Sequence, residues 1–183
     1  EEEICLKTHN QIKKKYKEIV TVIVPRHING SKEIHHLCNR YFLSSQILSG
    51  NDKIEKNKEI IIINSFGALL ELYKLSKCVF IGKSILKELE NVGGQNPIEA
   101  AKLDCKVYHG PFIYNFEDIY QILDQNNISQ KINSFEELSK SLEIDLKDFK
   151  KLQSDNKVFI NRLGQKTLKD TMELVKAFLN NEN

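Results

Sequence analysis

The sequence predicts an α/β fold: a Rossmann-like, doubly wound parallel sheet with helices on both faces. Two patterns carry that prediction. Short apolar, β-branched runs alternate along the chain with helical segments, the order that builds crossover units. The clearest of the runs, at 22–24 and 60–63, are continuously apolar, as strands covered on both faces require. Length agrees, because 183 residues with 40% hydrophobic and 28% charged side chains suit one domain of common size. Residues 1–183 are predicted to form one domain with an extra helix at each end, over 1–18 and 157–181.

Residues 1–18 read as a helix because Ile4, Leu6, Ile12, Tyr16 and Ile19 form an approximate apolar stripe beside a basic run of Lys13, Lys14, Lys15 and Lys17. That run is either a solvated face or an attraction to an anionic membrane surface. Residues 21–24 make the first strand, stopped by Pro25, Arg26 and His27. Asn29, Gly30 and Ser31 supply a turn and a cap for a helix through Ile34, Leu37, Cys38 and Tyr41. A weak strand at 46–48 and a polar loop at 49–58 precede the clearest buried strand, at 59–63. Asn64 and Ser65 then cap a helix over 66–75. A strand at 77–81 ends at Gly82, and a loop over 83–92 leads to a helix from Pro97 to about residue 103. A strand at 105–108 closes on His109, Gly110 and Pro111. A helix over 115–126 and a strand over 128–132 follow. From Ser134 the chain is nearly all helical, and Ser134 with Glu137 has capping-box spacing.

Charge and composition exclude several functions. Lys+Arg 27 against Asp+Glu 25 leaves +2, too little for a dedicated nucleic-acid protein. No window approaches the roughly 18 apolar residues of a membrane-spanning helix. Glu1, Glu2 and Glu3 fit no signal peptide, and a chain opening this way without Met reads as a fragment or processed product. Cys5, Cys38, Cys78 and Cys105 are scattered, with no C-x-x-C pair, the usage of a reducing compartment. There are 24 Lys but only three Arg: Arg26, Arg40 and Arg162. In such a chain an arginine is informative, because guanidinium and ammonium are not interchangeable at bidentate sites.

The three prolines, Pro25, Pro97 and Pro111, each follow a predicted strand, and Gly67, Gly82, Gly93, Gly94 and Gly110 share those connections. In a parallel sheet these junctions all project from the carboxyl edge, where open α/β sheets bind ligands. Gly93-Gly94-Gln95-Asn96-Pro97-Ile98-Glu99 is the richest stretch. Asn96 as N-cap, Pro97 at N1 and Glu99 at N3 form a variant capping box. The paired glycines add amide donors at a helix start suited to a phosphate, and Glu99 could accept from ribose hydroxyls. Arg26 is either a snorkelling surface residue or a bidentate phosphate contact. His27 is an acid, a base, a donor or loop filling. Phe66 either joins the core or covers a nucleobase, with Gly67 and Ala68 permitting the approach. Gly82-Lys83-Ser84 lacks the first glycine of a P-loop, and no G-x-G-x-x-G, H-E-x-x-H or G-x-S-x-G occurs. His35 and His36 have no third ligand, and no metal site is predicted.

Val24-Pro25-Arg26-His27, Asn64-Ser65-Phe66-Gly67-Ala68-Leu69, the 93–99 stretch, and Gly110-Pro111 with Asn115-Phe116 resemble, in order and spacing, the C-terminal half of the Kdo (3-deoxy-D-manno-octulosonic acid) transferase family. The resemblance runs from about residue 1 to 116, and loosely through the last helices. Glu1-Glu2-Glu3 is similar to the tail of a family motif in which Ser-Thr-His-x-Gly precedes acidic residues. The resemblance implies a GT-B glycosyltransferase that moves Kdo from CMP-Kdo to a lipid A precursor in lipopolysaccharide synthesis, without metal or other cofactor. It implies a position on the cytoplasmic face of the bacterial inner membrane, against its anionic surface. Pro25 and Arg26 would meet the CMP phosphate side. Phe66, Gly67 and Ala68 would line the cytidine. Gly93, Gly94, Gln95, Asn96, Pro97, Ile98 and Glu99 would hold phosphate and ribose, with Glu99 on the hydroxyls. No catalytic residue is expected in this chain, because the family's base lies in an N-terminal domain outside it. The chain alone is expected to be inactive, with its C-terminal helix packing back on that other half. The family carries Gly where Lys83 stands, His at Gln95, and Asp and Glu at Asn64 and Ala68. Gln95 can donate a hydrogen bond but cannot titrate. Two alternatives remain: a UDP-sugar GT-B transferase or epimerase, and a non-catalytic nucleotide-binding or membrane-adaptor module.

Overall fold

The computed structural model describes residues 1–50, 52–147 and 156–180. Six short strands form two parallel sheets. β1 (Thr21–Ile23), β2 (Ser45–Leu48) and β3 (Ile60–Ile63) pair in the order β1-β3-β2, with Ile23 opposite Ile62. β4 (Cys78–Ile81), β5 (Lys106–His109) and β6 (Ser129–Lys131) pair in the order β4-β5-β6, with Ile81 opposite His109. Seven helices surround them: α1 (Glu2–Ile12), α2 (Ser31–Arg40), α3 (Leu69–Leu75), α4 (Ile98–Lys102), α5 (Glu117–Gln125), α6 (Phe135–Asp145) and α7 (Asn156–Asn180). The predicted α/β class with parallel strands and helices on both faces holds. The one continuous sheet is corrected to two halves that share no ladder hydrogen bond among the described residues.

Three apolar clusters bind these layers. Leu6 of α1 and Ile34 and Cys38 of α2 pack on Ile23, Ile60 and Ile62 of the first sheet. Ile4 of α1, with Leu138 and Leu142 of α6, packs with Tyr108 and Phe80 on one face of the second. Its other face carries Val79, Ile81 and Val107 under Tyr73, Ala100, Ala101, Tyr120, Leu123 and Ile160, from α3, α4, α5 and α7. α1 therefore belongs to both halves. Burying a side chain such as Leu6 contributes about 1.5–3 kcal/mol, so this shared helix is a substantial joint. Its N-terminal end meets the loop after β4, where Ser84 N donates to the Glu1 carboxylate at 2.8 Å. Its C-terminal end meets the start of β1, where His9 Nδ1 lies 2.9 Å from Thr21 Oγ1. α1 thus runs against the strand direction, and the carboxyl ends of both sheets open on the side of Glu1.

Several predicted boundaries are corrected. The helix expected over 1–18 ends at Ile12. Beyond it the lysines diverge, Lys13 to Glu59 at 2.8 Å and Lys15 to Glu143 at 3.3 Å, so the run is partly neutralised within the fold. The helix expected from Phe66 starts at Leu69, because Gly67 adopts a left-handed φ of 85°. Asn64 is no cap. Its amide accepts from Ser31 Oγ, donates to Ser49 Oγ (both 3.1 Å), and ties the ends of β2, β3 and α2 together. The helix expected from Asn115 begins at Glu117 after a 3-10 turn at Tyr114–Phe116. The Ser134 cap is present, accepting from Glu137 N, while Glu137 accepts from Asn133 N at 2.7 Å. The long C-terminal helix is α7; its first turns bury Ile160, and Leu168, Met172, Val175 and Leu179 stand exposed. Residues 148–155 and 181–183, expected to be helical, lie outside the described residues. All four cysteines are free thiols, and burial pushes Cys5 and Cys78 up to about 12, far from thiolate reactivity.

Candidate functional site

The first half of the carboxyl rim is built from the ends of β1 and β3. Their register, Ile23 against Ile62, sets Pro25 and Arg26 beside the segment 64–66. Arg26 is exposed, and its guanidinium has no hydrogen bond or ion pair among the described residues. Phe66 is 84% exposed, so it does not belong to the core. A Cβ built on Gly67 meets nothing within 4 Å, so glycine is needed there for its φ and not for space. Ala68 is half-buried at the N-cap of α3.

The second half is interlocked. Gly93 N donates to Leu89 O at 2.6 Å and Gly94 N to Lys83 O at 2.7 Å. Both glycines are buried, and a Cβ on Gly93 would lie 2.3 Å from Phe112 O. A Cβ on Gly94, at a φ of 90°, would lie 3.0 Å from Ile113 O. The expectation that this pair exposes amides to a phosphate is corrected: close packing under the β5–α5 connection requires the glycines, and backbone carbonyls already take their amides. Gln95 is half-buried, and its carbonyl accepts from Tyr120 Oη at 3.0 Å. Pro97 is buried and holds the N-cap position expected of Asn96. Asn96 Oδ1 accepts from Ile98 N at 2.9 Å, an Asx turn one residue earlier than the expected box. Glu99 is exposed, and its carboxylate takes no hydrogen bond among the described residues, so the capping function does not use it.

Gly110 locks this half further. Gly110 N donates to Ser84 Oγ at 2.8 Å and Phe112 N to Ser84 O at 2.7 Å. At the end of β5, buried His109 meets an acceptor at each ring nitrogen: Gly110 O at 2.7 Å from Nδ1, and the Asp124 carboxylate at 3.2 Å from Nε2. Burial would raise the Asp124 carboxyl, but the bonds from His109 and Ser129 outweigh it and hold it below the usual carboxylate value.

The residues expected in a site thus fall into two groups along one rim. Arg26, Phe66 and Glu99 present unused side chains. Gly93, Gly94 and Pro97 support the backbone. Sequence reasoning missed Ser84 and Glu1, which organise the loop after β4; the only signal was the pairing of Gly82 with a polar residue where a P-loop fails. Concavity alone does not mark this rim: a cavity of about 610 Å³, lined by His35, Gln46 and Lys53 among others, lies along β2. Among the described residues no group of three His, Cys, Asp or Glu is placed to hold a metal ion. No helix of the described residues is long and apolar enough to cross a membrane.

No known family profile matches the chain. It is 29% identical to the 3-deoxy-D-manno-octulosonic acid transferase of Haemophilus influenzae, over 73% of this chain and 30% of that protein. With the protein of the same name from Rickettsia prowazekii it shares 27% identity, over 98% of this chain and 39% of that one. The chain thus spans about a third of the length of the curated relatives it matches. Its fold is similar to the crystal structure of the C-terminal CMP-Kdo binding domain of WaaA from Acinetobacter baumannii. The TM-score is 0.72 at 21% identity, covering 87% of this chain and 82% of that one. Carrying the rim motifs in order, and aligned with these proteins over most of its length, the chain is similar to the C-terminal part of 3-deoxy-D-manno-octulosonic acid transferases.

Proposed function

We propose that this chain is the donor-binding half of a GT-B glycosyltransferase that moves Kdo from CMP-Kdo to a lipid A precursor. The observation that carries the reading is the pair of unused opposite charges on one rim, the Arg26 guanidinium and the Glu99 carboxylate. A free guanidinium suits the CMP phosphate, which it meets as a bidentate donor. As the bond to Kdo breaks, negative charge grows on departing CMP, and a preoriented cation stabilises it. A free carboxylate suits ribose hydroxyls, which donate to it. Phe66, exposed beside the open left-handed Gly67, offers a face for the cytosine ring. With the Gly93 and Gly94 amides committed, Arg26 carries the phosphate in this reading. The base that activates the acceptor, the lipid contact and the membrane surface are assigned to the longer protein, at the cytoplasmic face of the inner membrane. No metal takes part.

NMR titration of the chain with CMP and with UDP tests this. Selective shifts at Arg26, Gly67 and Glu99 with CMP are expected. A preference for UDP would transfer the reading to a UDP-sugar enzyme. A response to anionic vesicles alone would make the chain a membrane adaptor, a reading weakened by the pairing of Lys13 and Lys15 within the fold.

A further inference from the structure

The loop after β4 forms a cradle of three consecutive amides. Lys83 N, Ser84 N and Ile85 N all donate to the carboxylate of Glu1, the latter two at 2.8 Å. Lys83 takes a left-handed φ of 57°, the conformation that turns successive N–H groups toward one point. Gly82 leaves just enough room, since a Cβ there would stand 3.0 Å from Glu1 Oε2. Amide bonds to a carboxylate are about twice as strong as neutral ones, so three of them fix this loop firmly.

The same loop holds both neighbouring rim segments. Lys83 O accepts from Gly94 N at 2.7 Å, four residues before the helix that carries Glu99. Ser84 holds Gly110 and Phe112 through its Oγ and carbonyl. Glu1 leads directly into α1, whose Leu6 packs beneath the β1 and β3 ends that carry Arg26 and Phe66. The carboxylate is therefore a polar tie between two half-sheets that share no ladder bond among the described residues.

We propose that Glu1 is a positioning residue: seated in the cradle of Lys83, Ser84 and Ile85, it sets the segment from Gly94 to Glu99 against the half of the rim that bears Arg26. Its effect on CMP rests on the donor-binding reading above; its effect on the loop does not.

The test uses the whole 183-residue chain. In Glu1→Gln the amide proton signals of residues 83–85 should move upfield together and exchange at least about tenfold faster, as charge-assisted bonds are lost. The change should spread to Gly94, Ile98 and Glu99, and the Kd for CMP should rise roughly tenfold. Glu1→Asp should recover part of each effect. Glu3→Gln, whose carboxylate pairs with Lys7 and Tyr41 and makes no bond to Glu1 or to this loop, should leave all of them unchanged. Unmoved signals at 83–85 would overturn the cradle. Shifts confined to 83–85, or an unchanged Kd in a chain that binds CMP, would overturn the positioning role. If the unmodified chain does not bind CMP, the donor reading fails, and spread of the shifts to residues 94–99 still decides for or against Glu1. If Glu1→Gln does not fold, exchange in the unmodified chain decides: protection of all three loop amides supports the cradle, and free exchange overturns it.

Discussion

Along the first sheet the rim is open, with Arg26 unpaired among the described residues, Phe66 in solvent and open space where a Cβ on Gly67 would point. Along the second it is closed, with Gly93, Gly94 and Gly110 packed against backbone and their amides spent on carbonyls and a hydroxyl. Both halves carry glycine-bearing junctions, yet glycine serves conformation in one and close packing in the other. The lesson is that a glycine-rich junction is a ligand surface only where the polar groups around it remain unspent. In this rim those groups are side chains, on Arg26 and Glu99.

The contrast breaks most visibly by substitution of the glycines. Gly110→Ala would put a Cβ 2.1 Å from Ser84 O and 2.4 Å from Ile85 Cα, backbone atoms with nowhere to retreat. A loss of about 3 kcal/mol or more is expected in denaturant unfolding. Gly67→Ala meets only its φ of 85° and should cost about 1 kcal/mol. Equal losses would erase the distinction between the halves. Arg26→Ala should reverse the pattern, weakening CMP binding by about ten- to a hundredfold in calorimetry while changing unfolding stability by no more than about 0.5 kcal/mol. Unchanged CMP affinity would remove Arg26 from the site.

Acid sharpens the comparison from the other end of α1. Burial would raise the Glu59 carboxyl, but Lys13 and the Ser44 donors outweigh it and hold it at about 2. Its contribution is therefore complete above its ordinary value of 4.5 and is lost as pH falls from there toward 2. Melting curves should show the midpoint falling across that window, with a shallower fall in Glu59→Gln. The smallest effect is expected at Lys83, which holds a left-handed φ of 57°. Lys83→Gly should stabilise by up to about 1 kcal/mol and leave the cradle amides in place.

The strands were legible because apolar runs such as Ile60–Ile63 have no other place to go, and so was Ser134, whose cap is a local bond. Helix ends were less so. The stop after Ile12 has no local signal, and the lysines just beyond it pair with Glu59 and Glu143, far along the chain; the late start of α3 rests on one backbone angle at Gly67. Placing Arg26 and Phe66 side by side followed from parallel pairing. The glycine pair was misread because its packing partners, Phe112 and Ile113, come from another strand's connection. Asn64, Ser84 and Glu1 act through bonds of 15 to 84 residues' separation, and no local pattern announces them.

The seam between the two sheets has a thermodynamic consequence. Ladder hydrogen bonds make neighbouring strands open together, and here none crosses the seam among the described residues. Each trio of strands is then its own unit of local opening, coupled to the other through the helix that packs on both. Native-state hydrogen exchange should therefore group the strand amides by trio, with α1 common to both.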